Sequence, residues 1–123
     1  NVKENIELPL KLDNKKIDKE YIEDLINLLG LKERKNHLPN QLSGGQQQRV
    51  AIARALSAKP SIILADEPTG NLDSKTTEEV MDLLKSSIKK YNQTLIIITH
   101  NENIARKADR IISIIDGELK LTL

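Results

Sequence analysis

Ile62-Ile63-Leu64-Ala65-Asp66-Glu67-Pro68-Thr69-Gly70-Asn71-Leu72-Asp73 joins an unbroken apolar run to two adjacent carboxylates and then to turn-forming residues. Four apolar residues without polar alternation are what a parallel strand buried on both faces requires. Asp66 and Glu67 then fall at the strand's C-terminal tip, where open α/β sheets bind their ligands. Adjacent like charges are unfavourable there unless a cation or an attacking water uses them. One carboxylate can hold Mg2+, an ion that prefers oxygen ligands, while its neighbour points elsewhere and orients or deprotonates water. A solvated acidic turn after a strand fits the same residues.

Downstream, strand and helix signals alternate. Ser74 to about Tyr91 reads as a helix with Val80, Leu84, Ile88 and Tyr91 on one face. Leu95 to Ile98 is expected to be a second buried strand, and His100 stands just past its tip. A histidine there can hydrogen-bond a terminal phosphate or a water in line with it; a surface residue is the plainer alternative. A short helix is expected over Glu102 to Lys107. Ile111 to Ile115 and Glu118 to Leu123 flank Asp116-Gly117, a two-residue hairpin signal.

Upstream, Leu42-Ser43-Gly44-Gly45-Gln46-Gln47-Gln48-Arg49-Val50-Ala51-Ile52-Ala53-Arg54-Ala55-Leu56 is a helix that Ser43 caps and that runs to about Ala58, before Pro60. Two glycines in its first turn let an anion approach unpaired N–H groups at the positive end of the helix dipole. An ordinary serine-capped helix after a glycine turn would look the same over Ser43 to Gly45. Lys32 to Asn40 reads as a loop and contains His37, assigned to the surface. Asp18 caps an earlier helix reaching Leu29, with Gly30 at its C′ position. The order, helices first and then βαβ(α)ββ, gives an α/β class with a helical portion in front.

The 123 residues are 38% hydrophobic and 30% charged, with a net charge of +1. That balance suits a soluble domain and offers no field to gather nucleic acid or anionic lipid. Cysteine is absent, so disulfides and thiolate metal sites are excluded. With no membrane-spanning run and no leader pattern, the expected address is cytoplasmic. The opening Asn1-Val2-Lys3-Glu4, without Met, suggests a start inside something larger.

Leu42 to Leu56 resembles the ABC signature motif and the helix it opens. Ile62 to Asp73 looks like the Walker B strand, catalytic glutamate and D-loop of the same ATPases, and Ile96-Ile97-Ile98-Thr99-His100 resembles their H-loop. Asn5 to Leu12 looks like the segment after the family's Q-loop. Within the family, Pro39 to Leu42 and Pro68 to Ser74 look most like the lipoprotein-release, macrolide-export and cell-division group. The resemblance implies a partial P-loop NTPase (RecA-like) parallel-sheet core over residues 59–123, preceded by the ABC helical subdomain over residues 1–58.

By the same resemblance, Glu67 is the general base, His100 senses the γ-phosphate and Asp66 serves Mg2+. Ser43, Gly44, Gly45 and Gln46 close over ATP held by a second ATPase subunit in a head-to-tail dimer, and Asp73 belongs to the D-loop at that interface. The implied whole is an ATPase subunit that drives transport, peripheral on the inner face of the cell membrane and docked to a transmembrane permease. A soluble ABC ATPase without a transport role and a truncated, non-catalytic binding module are the alternatives. None of the five glycines begins a G-x-x-x-x-G-K-[ST] loop, so the family's P-loop is expected upstream of Asn1 and these residues alone are expected to be inactive. The strand leading into that loop lies, in the family, between the H-loop strand and the next one. Without it, Thr94 to Thr99 and Arg110 to Ile115 are expected to face an empty slot, with self-association or a displaced hairpin as the outcome.

Overall fold

The computed structural model describes residues 1–122. Three helices come first: α1 (Val2–Leu12), α2 (Lys19–Leu28) and α3 (Gly44–Ser57), with single 3-10 turns at Lys32–Arg34 and Pro39–Gln41. There follow β1 (Ile62–Asp66), α4 (Ser74–Lys90), β2 (Thr94–Ile98), α5 (Glu102–Ala105), β3 (Ile111–Ile115) and β4 (Glu118–Thr122).

The helix ends obey their capping residues. Asp18 accepts from the Tyr21 N–H at 3.1 Å, and Gly30 takes φ +68° just past α2, the left-handed conformation that glycine adopts without penalty. Ser43 and Gln46 form a reciprocal capping box at the start of α3, satisfying donors that the first turn would otherwise leave open. Helix α1 was not read from the sequence, because Pro9 sits inside it and a proline cannot donate to the helical ladder. Burial outweighs that loss: Val2, Ile6 and Leu10, four residues apart, all face the core. Two of its first N–H groups go to carbonyls of the loop between α2 and α3, Val2 to His37 at 3.1 Å and Lys3 to Lys35 at 3.0 Å.

One aliphatic core links these helices to the strands. Ile6, Ile22, Leu25, Ile26, Leu29, Leu31 and Leu56 are fully buried, and the same cluster continues through Ile63, Val80 and Leu84. Each such side chain contributes roughly 1.5–3 kcal/mol. Tyr21 ties α2 to the end of α3 by donating its hydroxyl to the Leu56 carbonyl at 2.6 Å, and it meets Tyr91 edge to face.

β1 and β2 pair in parallel from Ile62↔Thr94 to Asp66↔Ile98, with α4 as the crossover. The ladder runs one residue further, since the Glu67 N–H donates to the Ile98 carbonyl at 2.8 Å. β3 and β4 form a separate antiparallel hairpin whose turn residues, Asp116 and Gly117, have φ of 50° and 78°. The expectation that both parallel strands are buried on two faces is corrected: Ile62, Leu64, Ile96 and Ile98 are at least half exposed. Helices cover one face of this sheet, and nothing among the described residues covers the other. β2 and β3 are in different sheets. Leu123, the end of the expected last strand, lies outside the described residues.

Candidate active site

The tip of β1 gathers three of the residues singled out above. Asp66 ends the strand, exposed and without a hydrogen-bond partner among the described residues. Glu67 follows in the left-handed region at φ 46°, a conformation costing a non-glycine residue roughly 1–2 kcal/mol. The turn carries its side chain towards the end of β2. There Glu67 Oε1 accepts from the backbone N–H of His100 at 3.0 Å and lies 2.5 Å from His100 Nδ1. With the carboxylate ionised, Nδ1 carries the shared proton, which leaves Nε2 as the free nitrogen of a ring that is 90% exposed. Glu67 Oε2 accepts from the Thr99 hydroxyl at 3.4 Å.

Neighbouring like charges therefore have distinct surroundings. Glu67 is two-thirds covered and held by three donors, whereas Asp66 is free to meet a cation. Among the described residues no group of three or more His, Asp or Glu could hold a metal unaided. A single open carboxylate fits Mg2+ that keeps its waters and arrives on a polyphosphate; it does not fit a metal bound by protein alone. A groove of about 170 Å3 between α3 and β1 takes in Ala51, Ile63 and Asp66. It is smaller than the ~300–1,000 Å3 usual for small-molecule sites, and of the two carboxylates only Asp66 borders it.

Ser43, Gly44, Gly45, Gln46 and Asp73 form a second cluster. Gly44 lies against Leu72, and Gly45 against Thr76 in the first turn of α4. Asp73 caps α4 by accepting from the Thr76 N–H at 2.7 Å, and that bond, first among its causes, holds the Asp73 carboxyl below the usual carboxylate range. Ser43 Oγ accepts from the Gln46 N–H at 3.2 Å while Gln46 Oε1 accepts from the Ser43 N–H at 3.0 Å. The hydroxyl proton of Ser43 is still available to an anion. The N–H groups of Gly44 and Gly45 have no acceptor among the described residues. Of the two glycines Gly44 is exposed and Gly45 buried. Sequence reasoning missed Thr99 and Thr76; a polar residue closing the apolar run Ile96 to Ile98 was the available signal for the first.

A family profile described as ABC transporter matches residues 1–70. This chain belongs to the ABC transporter family. It is 52% identical over 120 residues to the uncharacterized ABC transporter ATP-binding protein MJ1508 of Methanocaldococcus jannaschii, covering 94% of this chain and 52% of that protein. It is 46% identical over 117 residues to the lipoprotein-releasing system ATP-binding protein LolD of Acinetobacter baylyi, covering 93% and 51%. A solved structure described as "Dimeric Structure of MJ0796, a Bacterial ABC Transporter Cassette" superposes with a TM-score of 0.77 at 48% identity, over 98% of this chain and 54% of that one. The ABC transporter fold, a partial P-loop NTPase core preceded by helices, is thus shared. The chain spans about half the length of the curated relatives it matches.

Proposed function

We propose that this chain is part of an ATPase subunit that powers transport through a transmembrane permease. The observation that carries the reading is the Glu67 carboxylate, held by His100 and Thr99 at the tip of a parallel strand beside the unpartnered Asp66. In the proposed roles Glu67 accepts a proton from the attacking water and His100 presents Nε2 towards the terminal phosphate. Asp66 would hold Mg2+, which when bound supplies positive charge to the phosphate oxygens. Phosphoryl transfer to water needs mostly positioning and charge stabilisation, which such an arrangement provides.

Ser43, Gly44 and Gln46 lie in the other cluster, where the Gly44 N–H is open on exposed backbone and the Ser43 hydroxyl proton is uncommitted. This separation supports a head-to-tail dimer in which the signature of one subunit closes over the nucleotide of the other, with Asp73 near the seam. The division into a helical subdomain, residues 1–58, and a RecA-like portion, residues 59–123, and the location on the inner face of the cell membrane belong to the same proposal. A related structure is described as a dimeric post-hydrolysis state bound to ADP and Pi, which favours this reading over a non-catalytic binding module.

The test is Glu67→Gln in the full-length subunit. Turnover is expected to fall by roughly 10²–10⁴, with ATP-driven dimerisation kept, since the amide retains the shape of the carboxylate. Full ATPase activity in that variant refutes the role of Glu67. The 123 residues alone contain no G-x-x-x-x-G-K-[ST] loop, so calorimetry of this polypeptide with Mg-ATP is expected to give weak or no binding; a micromolar dissociation constant contradicts the proposed division of parts.

A further inference from the structure

We propose that Thr99 is a positioning residue for hydrolysis, holding the Glu67 carboxylate in the orientation from which it acts; the inference rests on the role of Glu67 proposed above. A hydroxyl has one proton to give, and here its destination is decided by what the oxygen already accepts. Thr99 Oγ1 accepts the N–H of Asn101 at 3.0 Å, so its proton is directed away from that bond and towards Glu67 Oε2, 3.4 Å off. The contact is long, as such bonds commonly are before substrate completes a site.

Thr99 is itself anchored. The Asn101 side chain caps the short α5 by accepting from the N–H groups of Asn103 at 2.9 Å and Ile104 at 3.4 Å, and Ile104 is buried. The turn from β2 into α5 is therefore a fixed bracket. From it the His100 N–H and ring hold one carboxylate oxygen and Thr99 holds the other. Two separate donors on the two oxygens fix the plane of the carboxylate; with Oε1 alone held, the group rotates about its terminal bond, whose preference is broad. Glu67 needs that restraint because its backbone, in the left-handed region, does not by itself determine where the carboxylate faces.

The experiment is steady-state ATPase kinetics of the full-length subunit with Mg-ATP, comparing Thr99→Val, Thr99→Ser and Glu67→Gln. Valine keeps the shape and removes the hydroxyl; serine returns the hydroxyl and removes the methyl. Thr99→Val is expected to lower kcat roughly tenfold with KM within about twofold, because ATP binding does not use this hydroxyl. Thr99→Ser is expected to recover most of the loss, which a packing role for the methyl would not allow. ATP-driven dimerisation by light scattering reports whether Thr99→Val is folded, and Thr99→Ala replaces it if it is not. A Thr99→Val enzyme with unchanged kcat, or a Thr99→Ser enzyme as slow as the valine variant, overturns the proposal while leaving Glu67 as the base. An active Glu67→Gln enzyme overturns the reading beneath it, and the proposal with it.

Discussion

A Cβ atom on Gly45 would lie 2.4 Å from Cγ2 of Thr76, closer than two carbon atoms can approach. Gly45 is thus the point at which the first turns of α3 and α4 touch, and its smallness serves packing within the chain. A Cβ on the neighbouring, exposed Gly44 would lie an ordinary 3.4 Å from Cδ2 of Leu72.

Gly45→Ala consequently sets two effects against each other. Alanine in a helix gains about 1 kcal/mol over glycine, and overpacking costs about 1–3 kcal/mol. The clash is with a branched methyl next to the helix backbone, so the expected result is net destabilisation, read as a lower urea midpoint. Thr76→Ser removes that methyl and keeps the hydroxyl beside Asp73, so the Gly45→Ala/Thr76→Ser pair is expected to regain most of the loss. A Gly45→Ala protein as stable as the parent refutes the contact.

Gly44→Asp is expected to act differently. The monomer has room for the side chain, so its urea midpoint should stay near that of the parent. In the full-length subunit a carboxylate would stand where the proposed partner's terminal phosphate must approach, and ATP-driven dimerisation in light scattering should be lost. Dimerisation at parental ATP concentrations would place the nucleotide elsewhere. Ser43→Arg is a poorer probe, because it also removes the N-cap of α3, a change typically worth ~1 kcal/mol.

The legible parts of this fold were those with local chemistry. Asp18, Ser43 and Asp73 each cap a helix, and Asp116-Gly117 makes the hairpin turn. Helix α1 was illegible because Pro9 argues against a helix locally, and only its tertiary partners α2 and α3 overrule it. The carboxylates and the histidine were legible as residue types at strand ends. Their contact was not, since it depends on the Glu67 turn and on the parallel register that brings Asp66 beside Ile98. The dual use of the glycines was hidden for the same reason: close approach of α4 to α3 is written in no local pattern.

Tyr21 gives a pH dependence with a definite sign. Burial, first among the causes, pushes its hydroxyl up to about 12 from an unfolded value near 10. The folded state therefore keeps this proton when the unfolded chain has lost it. Stability from this group is fully present below about pH 10 and is lost as pH rises through about 12. Tyr21→Phe should lower stability at pH 7, through loss of the bond to the Leu56 carbonyl, and flatten the decline between about pH 10 and 12. Urea midpoints at pH 7, 10 and 11.5 test this; parallel declines in both proteins exclude Tyr21 as the titrating group.

The last prediction concerns the uncovered strands. Ile62, Leu64, Ile96 and Ile98 on the parallel pair and Ile112, Ile114, Ile115 and Leu119 on the hairpin are all at least half exposed. Strands β2 and β3 belong to different sheets, so each offers an edge of unpaired N–H and C=O groups next to apolar side chains. Such edges template pairing with another chain, and contiguous apolar patches of this kind are rarely left open by soluble monomers. A polypeptide of these 123 residues is therefore expected to self-associate at micromolar concentration, seen by multi-angle light scattering after gel filtration. Ile96→Lys/Ile98→Lys, on the exposed face of β2, should return it to monomer, because charges on an edge oppose pairing. The helical half should be unaffected, since its core residues Leu25, Ile26 and Leu56 are fully buried within the chain. A parent polypeptide that stays monomeric at high concentration would show that the open faces are solvated without cost enough to drive association.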